Sequence, residues 1–412
     1  MKRPVTDMKK LFTLAWRNIW RNPGRSGTLL IAIIAGLWAG VMVTGISNGM
    51  LQQRMDYLIE SEITHAQIHH PEFLAEKRSS MFIPNYKEIN SFLQEDDRVK
   101  SFTNRALAEG MLQSPVRTSG VTIRGLDPQK ERETTTFHEN LTEGEYLDTD
   151  MRNPLLMGET LIDEHNMNIG DRVVLRFENA ENELVSAAFN IAGLFNSASA
   201  EFDRRNVLVK DADLSDILAD QFIVHEIAIM LEDEKHSDVI VEELNQKFDQ
   251  IKARSWQNIS PELNTLVTFG GFMLLLVTII VMTALGFGIL NTMLMALFER
   301  MRELGMLISI GMSRAQVFFL ILLEAIMLSL SGAAVGILAA IVTIGYLGER
   351  GINLEMYASG AAEVGFPSVI YPMIETGEFV DIVVIVIVIT ILAAIYPALK
   401  AFGINPLEVE KE

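Results

Sequence analysis

Apolar residues along this chain gather into four long blocks, separated by segments in which polar and charged residues dominate. A helix needs about 20 mostly apolar residues to cross the hydrocarbon core of a bilayer, and the stretches 28–50, 263–297, 317–346 and 379–399 meet that length. The last contains DIVVIVIVITILAAIY, rich in the β-branched residues of a buried strand but longer than ordinary strands, and it reads as a helix in lipid. Between the first two blocks, 51–262 is mixed, with strand signals in THAQIHH, GVTIRGLDP, DRVVLRFENAENELVSAAFNIAGLF and NVLVK. Positions 178–182 (ENAEN) form the turn of a hairpin. The pattern predicts an α-helical membrane protein with four transmembrane helices, plus an α+β extracytoplasmic domain inserted between helices 1 and 2.

The flanks of the blocks are also periodic. Segment 1–27 contains LFTLAWRNIWR, in which Leu11, Leu14, Ala15, Ile19 and Trp20 alternate with Arg17 and Arg21 at helical spacing before Pro23-Gly24. This predicts an amphipathic helix along the inner leaflet, with its arginines toward anionic lipid, or equally a cytoplasmic cap on the first span. The helical period continues past the first block through 51–62. It returns near 238–262, where Val239, Leu244, Phe248 and Ile251 suit one face, so stalk helices are expected to project from the membrane at both ends of the domain.

Charge orients the chain. The formal net charge is −19, and residues 51–262 alone carry 40 Asp+Glu against 21 Lys+Arg, the same −19. Lys2, Arg3, Lys9, Lys10, Arg17, Arg21 and Arg25 precede the first block with one acid, Asp7, and Arg300, Arg302 and Arg314 cluster between blocks two and three. Basic residues in short loops mark the cytoplasmic side. Both termini, the loop 298–316 and the tail 400–412 are therefore expected in the cytoplasm of a bacterium, with 51–262 and the loop 347–378 outside the inner membrane. A cleaved signal peptide would also open with a basic region and an apolar run, but this run is long, and Ile46-Ser47-Asn48-Gly49 is not a small-x-small site. The chain has no cysteine, which excludes thiol chemistry, Cys-ligated zinc and N-terminal lipidation of this chain.

Several stretches, in order along nearly the whole sequence, resemble the FtsX-like permeases, the membrane subunits of MacB-type ABC transporters. LAWRNIWRNPGRSGTLLIAIIAGL is similar to that family's approach to its first span, LMGETLIDEHNMNIGDRVVLRF to a helix–turn–strand of its outer domain, and YPALKAFGINPLEVE to its C-terminal exit. FGILNTMLMALFERMRELGMLISIGMSRAQV is the most specific of these resemblances. The longer outer loop, 347–378, points to the lipoprotein-releasing (Lol-type) branch.

The resemblance implies a coupling segment between spans two and three that transmits ATPase closure, built from Glu299, Arg300, Arg302, Glu303, Gly305, Met306, Gly311 and Met312. Physically, a short amphipathic helix there can lay an apolar face in a partner's groove while its charges fix the register; the plainer alternative is a positive-inside loop. On one continuous helix Glu299 and Glu303 repel each other, which favours a partner's basic residue. Glu324 lies inside span three, where a carboxylate is costly. It is expected either to change contacts between states or to pair with Arg17 or another N-terminal basic residue near the interface. Gly36-x-x-x-Gly40 and Gly332-x-x-x-Gly336 allow close helix approach, and the resemblance puts Gly36 and Gly40 at a two-fold dimer interface.

Other motifs carry less. His65 and His69 on one strand face lie about 13 Å apart, a poor chelate, and His70 points oppositely. Asp96-Asp97 and Asp163-Glu164 read as solvated surface. No catalytic constellation and no metal or cofactor site is expected. No G-x-x-x-x-G-K-[ST] occurs, so ATP and Mg are expected on a separate cytosolic ABC ATPase subunit. The expected partners are that ATPase, a second permease copy or paralogue forming a dimer, membrane lipid and a periplasmic lipoprotein carrier, with no nucleic acid. The function implied is mechanotransmission that releases lipoproteins from the inner membrane toward the carrier. Two alternatives stand beside it: export of peptides or drugs through a periplasmic adaptor and outer-membrane channel, and a non-transporting scaffold that controls a cell-wall hydrolase.

Overall fold

The computed structural model describes residues 8–21, 23–197, 199–219, 222–353 and 369–402. Lys2, Arg3 and Asp7, residues 354–368 of the loop 347–378, and the tail beyond Phe402 lie outside the described residues. The described chain divides into two compact units, one of residues 8–51, 268–353 and 369–402 and the other of residues 52–267.

In the first unit four helices are long and apolar enough to cross a membrane. They run Pro23–Leu58, Pro261–Glu299, Arg314–Arg350 and Thr376–Phe402. At about 1.5 Å per residue even the 27-residue fourth helix exceeds a hydrocarbon core. Their common core joins Ile33, Leu37 and Val41 of the first helix to Met282 and Ile289 of the second and Ala325, Ala333 and Ala340 of the third, with Ile382, Val386 and Ala394 from the fourth. Small side chains line the seam between the third and fourth helices, so their backbones run close.

The glycines show how tightly the first helix is held. A Cβ at Gly36 would strike the Leu285 side chain, one at Gly40 the Met282 methyl, and one at Gly332 would lie 3.0 Å from Ile33 Cβ. Gly336 faces Leu37 and Ile34. The first helix thus uses Gly36 and Gly40 against the second helix of its own chain.

The inserted unit is built on one twisted sheet. Its strands are β1 (Ala66–His69), β2 (Val99–Gln113), β3 (Thr118–Leu126), β4 (Leu141–Gly144), β5 (Pro154–Gly158), β6 (Arg172–Glu178), β7 (Leu184–Phe195), β8 (Asn206–Lys210), β9 (Glu226–Leu231) and β10 (Lys252–Ser255). They lie in the order β10-β1-β9-β2-β3-β8-β5-β7-β4, with β6 pairing both β2 and β7. β2 is the spine: its first half pairs β9 as far as Arg105, and from Arg105 onward it pairs β3 and then β6. One core packs helices Tyr86–Gln94 and Ser237–Lys247 on β1, β9 and β10 through Ile68, Leu93, Ile229 and Leu244. The other packs Leu161, Leu214 and Leu218 against Leu175, Phe177, Phe189 and Ile191.

The stretch 238–262 is not one projecting helix. Helix Ser237–Lys247 buries Ile240 and Leu244 in the domain core, and the chain then enters β10, a short turn of helix Trp256–Ile259, and the long helix from Pro261. Of the residues expected on one face, Leu244 packs toward the sheet, whereas Val239 stands exposed and Phe248 and Ile251 lie past the end of the helix. At the other end the first long helix runs to Leu58 and finishes in a π turn, Ile59–Ile63.

Replacing Gly332 by leucine forces side chains apart along the whole seam with the first helix, and overpacking of this kind costs about 1–3 kcal/mol. Gly332→Leu is expected to lower the melting temperature of the purified protein, whereas Gly345→Leu on the same helix, where nothing lies within 4 Å, leaves it nearly unchanged.

Candidate functional site

The segment between the second and third long helices is defined by its ends. The second helix stops at Glu299, and Arg300, at φ −101° and ψ 5°, leaves the helical region before a separate helix, Met301–Ser309. That helix closes at Gly311, whose φ of +109° suits glycine. Gly311 N–H donates to Ile308 O and Met312 N–H to Leu307 O, both at 3.0 Å, a Schellman turn that satisfies the last carbonyls. Ser313 then caps the third long helix in a capping box with Gln316. Because the chain breaks at Arg300, Glu299 and Glu303 do not share one helix, and the repulsion expected between them does not arise.

The short helix has two faces. Leu304 and Gly305 are buried, whereas Arg302 and Met306 are exposed and Ile310, just past its end, is 85% exposed. Met306 and Ile310 give that exposed side an apolar part.

A chain of polar contacts ties this helix to two others. Arg300 donates from Nη1 to Glu324 Oε2 of the third long helix at 2.9 Å, and its Nε lies 3.6 Å from Glu303 Oε2. The second oxygen of Glu324 accepts from Asn18 Nδ2 at 2.8 Å. Arg21 pairs with Glu303. Asn18 and Arg21 belong to the helix Met8–Arg21, whose Leu11, Ala15 and Ile19 are buried while Phe12, Trp16 and Trp20 stand exposed. Glu324 therefore pairs with Arg300 and Asn18 rather than with Arg17. Of the residues singled out in the sequence, Arg300, Glu303 and Glu324 come together. Arg302, Met306 and Gly311 are exposed, Met312 packs half-buried against the core of the long helices, and Asn18 is the member that sequence reasoning missed. It carried no signal beyond its place on an amphipathic helix.

A second polar centre lies in the inserted unit, and no motif announced it. Arg105 of β2 donates to Glu226 Oε1 of β9 at 2.6 Å and to Glu131 Oε1 at 2.5 Å, and His69 Nε2 lies 3.1 Å from Glu226 Oε2. All four are buried. Burial alone would raise the Glu226 carboxyl, but the Arg105 charge and the His69 hydrogen bond hold it well below the carboxylate range. Arg124 of β3 is also desolvated, with its nearest carboxylate, Glu226, at 3.8 Å. Above this floor opens a cavity of about 740 Å³ walled by Phe73, Leu107, Val121 and Phe202. The three histidines face different surroundings: His65 accepts from Leu231 N–H, His69 faces Glu226, and His70 is partly exposed. Among the described residues no group of three or more His, Cys, Asp or Glu is placed to hold a metal.

Helix–insertion–helix order, the short helix between long helices two and three, and the strand order describe an ABC-type permease. The family description "MacB-like periplasmic core domain" matches residues 26–247 and "FtsX-like permease C-terminal" matches 269–406. The chain belongs to the FtsX-like, MacB-type permease family. LolC, the lipoprotein-releasing system transmembrane protein of Xylella fastidiosa, is 24% identical over 94% of this chain and 95% of its own. The macrolide export ATP-binding/permease protein MacB of Bordetella avium is 32% identical over 94 residues, 22% of this chain and only 14% of that protein. The periplasmic region of MacB from Actinobacillus actinomycetemcomitans aligns in structure with a TM-score of 0.36 at 13% identity, covering 52% of this chain and 98% of that one.

If Arg300 and Glu324 stabilise each other rather than merely adjoin, their removals will not add. In a double-mutant cycle on thermal unfolding, Arg300→Ala and Glu324→Ala are expected to show a coupling of about 0.5–3 kcal/mol. The exposed pair Lys77–Glu109, at 3.2 Å, is expected to show about 0–1 kcal/mol.

Proposed function

We propose that this chain is the permease subunit of an ABC transporter that works by mechanotransmission. Two permeases, identical or paralogous, assemble with two separate cytosolic ATPases that bind ATP and Mg. Helix Met301–Ser309 is the coupling element, with Met306 and Ile310 seated in a groove of the ATPase. The observation that carries this reading is the polar chain Arg21–Glu303–Arg300–Glu324–Asn18. It fastens the short helix to the N-terminal helix and the third long helix, so a push on it moves those helices instead of being absorbed by a slack loop. Both termini lie in the cytoplasm of the inner membrane, and the inserted unit lies in the periplasm.

The cargo we propose is an acylated lipoprotein, lifted from the outer leaflet of the inner membrane and passed to a periplasmic carrier. Likeness to LolC along nearly the entire length of both chains supports this. Export through an adaptor and outer channel is supported by the segment shared with MacB and by the match of residues 26–247 to the MacB-like periplasmic core domain.

The test is reconstitution in proteoliposomes with the partner ATPase and a labelled lipoprotein. ATP-dependent appearance of the label on an added carrier is expected, and retention of all label in the bilayer would reject the cargo. Ile310→Glu, at an 85% exposed site, is expected to leave folding intact and reduce ATPase co-purification at least tenfold, about 1.4 kcal/mol of binding. Unchanged co-purification would reject the coupling role.

A further inference from the structure

The short helix Met301–Ser309 joins the ends of two helices of 39 and 37 residues, each about 55 Å long at 1.5 Å per residue and longer than a hydrocarbon core of about 30 Å. With Arg300, Arg302, Glu303 and Arg314 in or beside it, the connection lies outside the hydrocarbon, where charge is tolerated. Its inner side is settled: Leu304 is buried, and Met301, Leu307 and Ile308 pack on the core of the long helices. On the opposite side Arg302, Met306 and Ile310 recur every four residues, which makes one stripe along a helix, and all three are exposed. Arg314 opens the third long helix four residues after Ile310 and is exposed too.

The charges at this end fall into two groups. Glu303 is engaged by Arg21 and Arg300, Glu324 by Arg300 and Asn18, and Glu299 has an interaction of its own. Lys400 Nζ lies 4.9 Å from the centre of the Phe298 ring. Among the described residues the side chains of Arg302 and Arg314 make no ion pair and no hydrogen bond. The first turn of the helix that Arg314 opens holds no acid, and a cation there gains nothing from the helix dipole. Two unpaired guanidinium groups thus bracket an exposed apolar pair.

The arrangement of the stripe selects the partner. A helix lying in a lipid interface keeps its charges and its apolar residues on opposite faces. Here they share one stripe, and the other face is already covered by the chain itself. A protein groove answers both features at once: an apolar slot takes Met306 and Ile310, and carboxylates beside it take the arginines, each of which presents a fork of donors that fits a carboxylate.

Resting on the coupling role proposed above, we infer that the ATPase groove receiving Met306 and Ile310 is rimmed by acidic side chains that pair with Arg302 and Arg314. Burial of the apolar pair supplies affinity. The two arginines fix the register, speed encounter and turn away an ATPase whose groove lacks the acids.

Binding of the purified partner ATPase to the full chain in phosphatidylcholine nanodiscs, measured across salt, tests this. For the wild type Kd is expected to rise about tenfold or more between about 50 mM and about 500 mM NaCl, because salt screens exposed charges. Arg302→Ala/Arg314→Ala is expected to bind more weakly at low salt and to show a flat salt profile; a profile as steep as that of the wild type overturns the proposal. Arg302→Glu/Arg314→Glu is expected to lose about tenfold or more in affinity at low salt and to recover part of it as salt rises. Arg17→Glu, a reversal at an exposed position of helix Met8–Arg21, is expected to stay within about twofold of the wild type. A loss in Arg17→Glu as large as in Arg302→Glu alone shows a diffuse field instead of an acidic rim and rejects the proposal. So does an effect of the arginine changes that is confined to nanodiscs containing phosphatidylglycerol, which assigns the two side chains to lipid. If Ile310→Glu weakens binding while the arginine variants bind as the wild type does, the coupling role stands and the acidic rim falls. If the wild type binds no ATPase at any salt, both fall.

Discussion

A carboxylate placed inside an apolar helix must be compensated, and in this protein compensation decides the geometry of one end of the membrane unit. Glu324 takes Arg300 on one oxygen and Asn18 on the other, and neither partner is a neighbour in sequence. Arg300 can reach it only if the second long helix stops at Glu299 and the backbone turns, so the break before Met301–Ser309 and the pairing of Glu324 belong together. Asn18 can reach it only if helix Met8–Arg21 lies on the third long helix, which the burial of Leu11, Ala15 and Ile19 secures. Removing either partner would leave charge or lone pairs without water or ligand, the costly case for a half-satisfied group.

The inserted unit solves the same problem differently. Its buried ions are gathered around Arg105, which pairs with two carboxylates, Glu131 and Glu226. A fully buried network of this type adds little net stability but penalises every arrangement that leaves a member unpaired. It fixes which strands meet: β2 must lie beside β9, because Glu226 has its partners only there.

How much of this was readable follows from the range of the interactions. The four long helices were legible because a continuous apolar run needs no partner to identify it, and the hairpin of β6 and β7 was legible because its alternation and its ENAEN turn are local. β2 was not. Its Asn104, Arg105 and Glu109 break the alternation, and what buries Arg105 lies 26 and 121 residues away. The period near Val239 and Leu244 announced a helix but not its buried face, which is Ile240 and Leu244, and the return segment was placed outside a core to which it contributes. Glycine spacing likewise announced close approach without saying which helix approaches. At the candidate site the charged residues were visible, but the turn at Arg300 was not, since no proline or glycine marks it and its cause is a side chain 24 positions later.

The fifteen-residue spine strand also sets a timetable for synthesis. Its outer hydrogen bonds wait for β9, and its central arginine waits for a glutamate 121 residues downstream. Contacts of such long sequence separation form slowly, because loop closure must precede them. While the ribosome is still making the stretch after β8, the first half of β2 is an unpaired edge and its arginine has only one of its two carboxylates, Glu131, the kind of surface that invites wrong strand pairing. The half-made domain is therefore a natural client for a chaperone from the emergence of Val99 until Leu231 has followed.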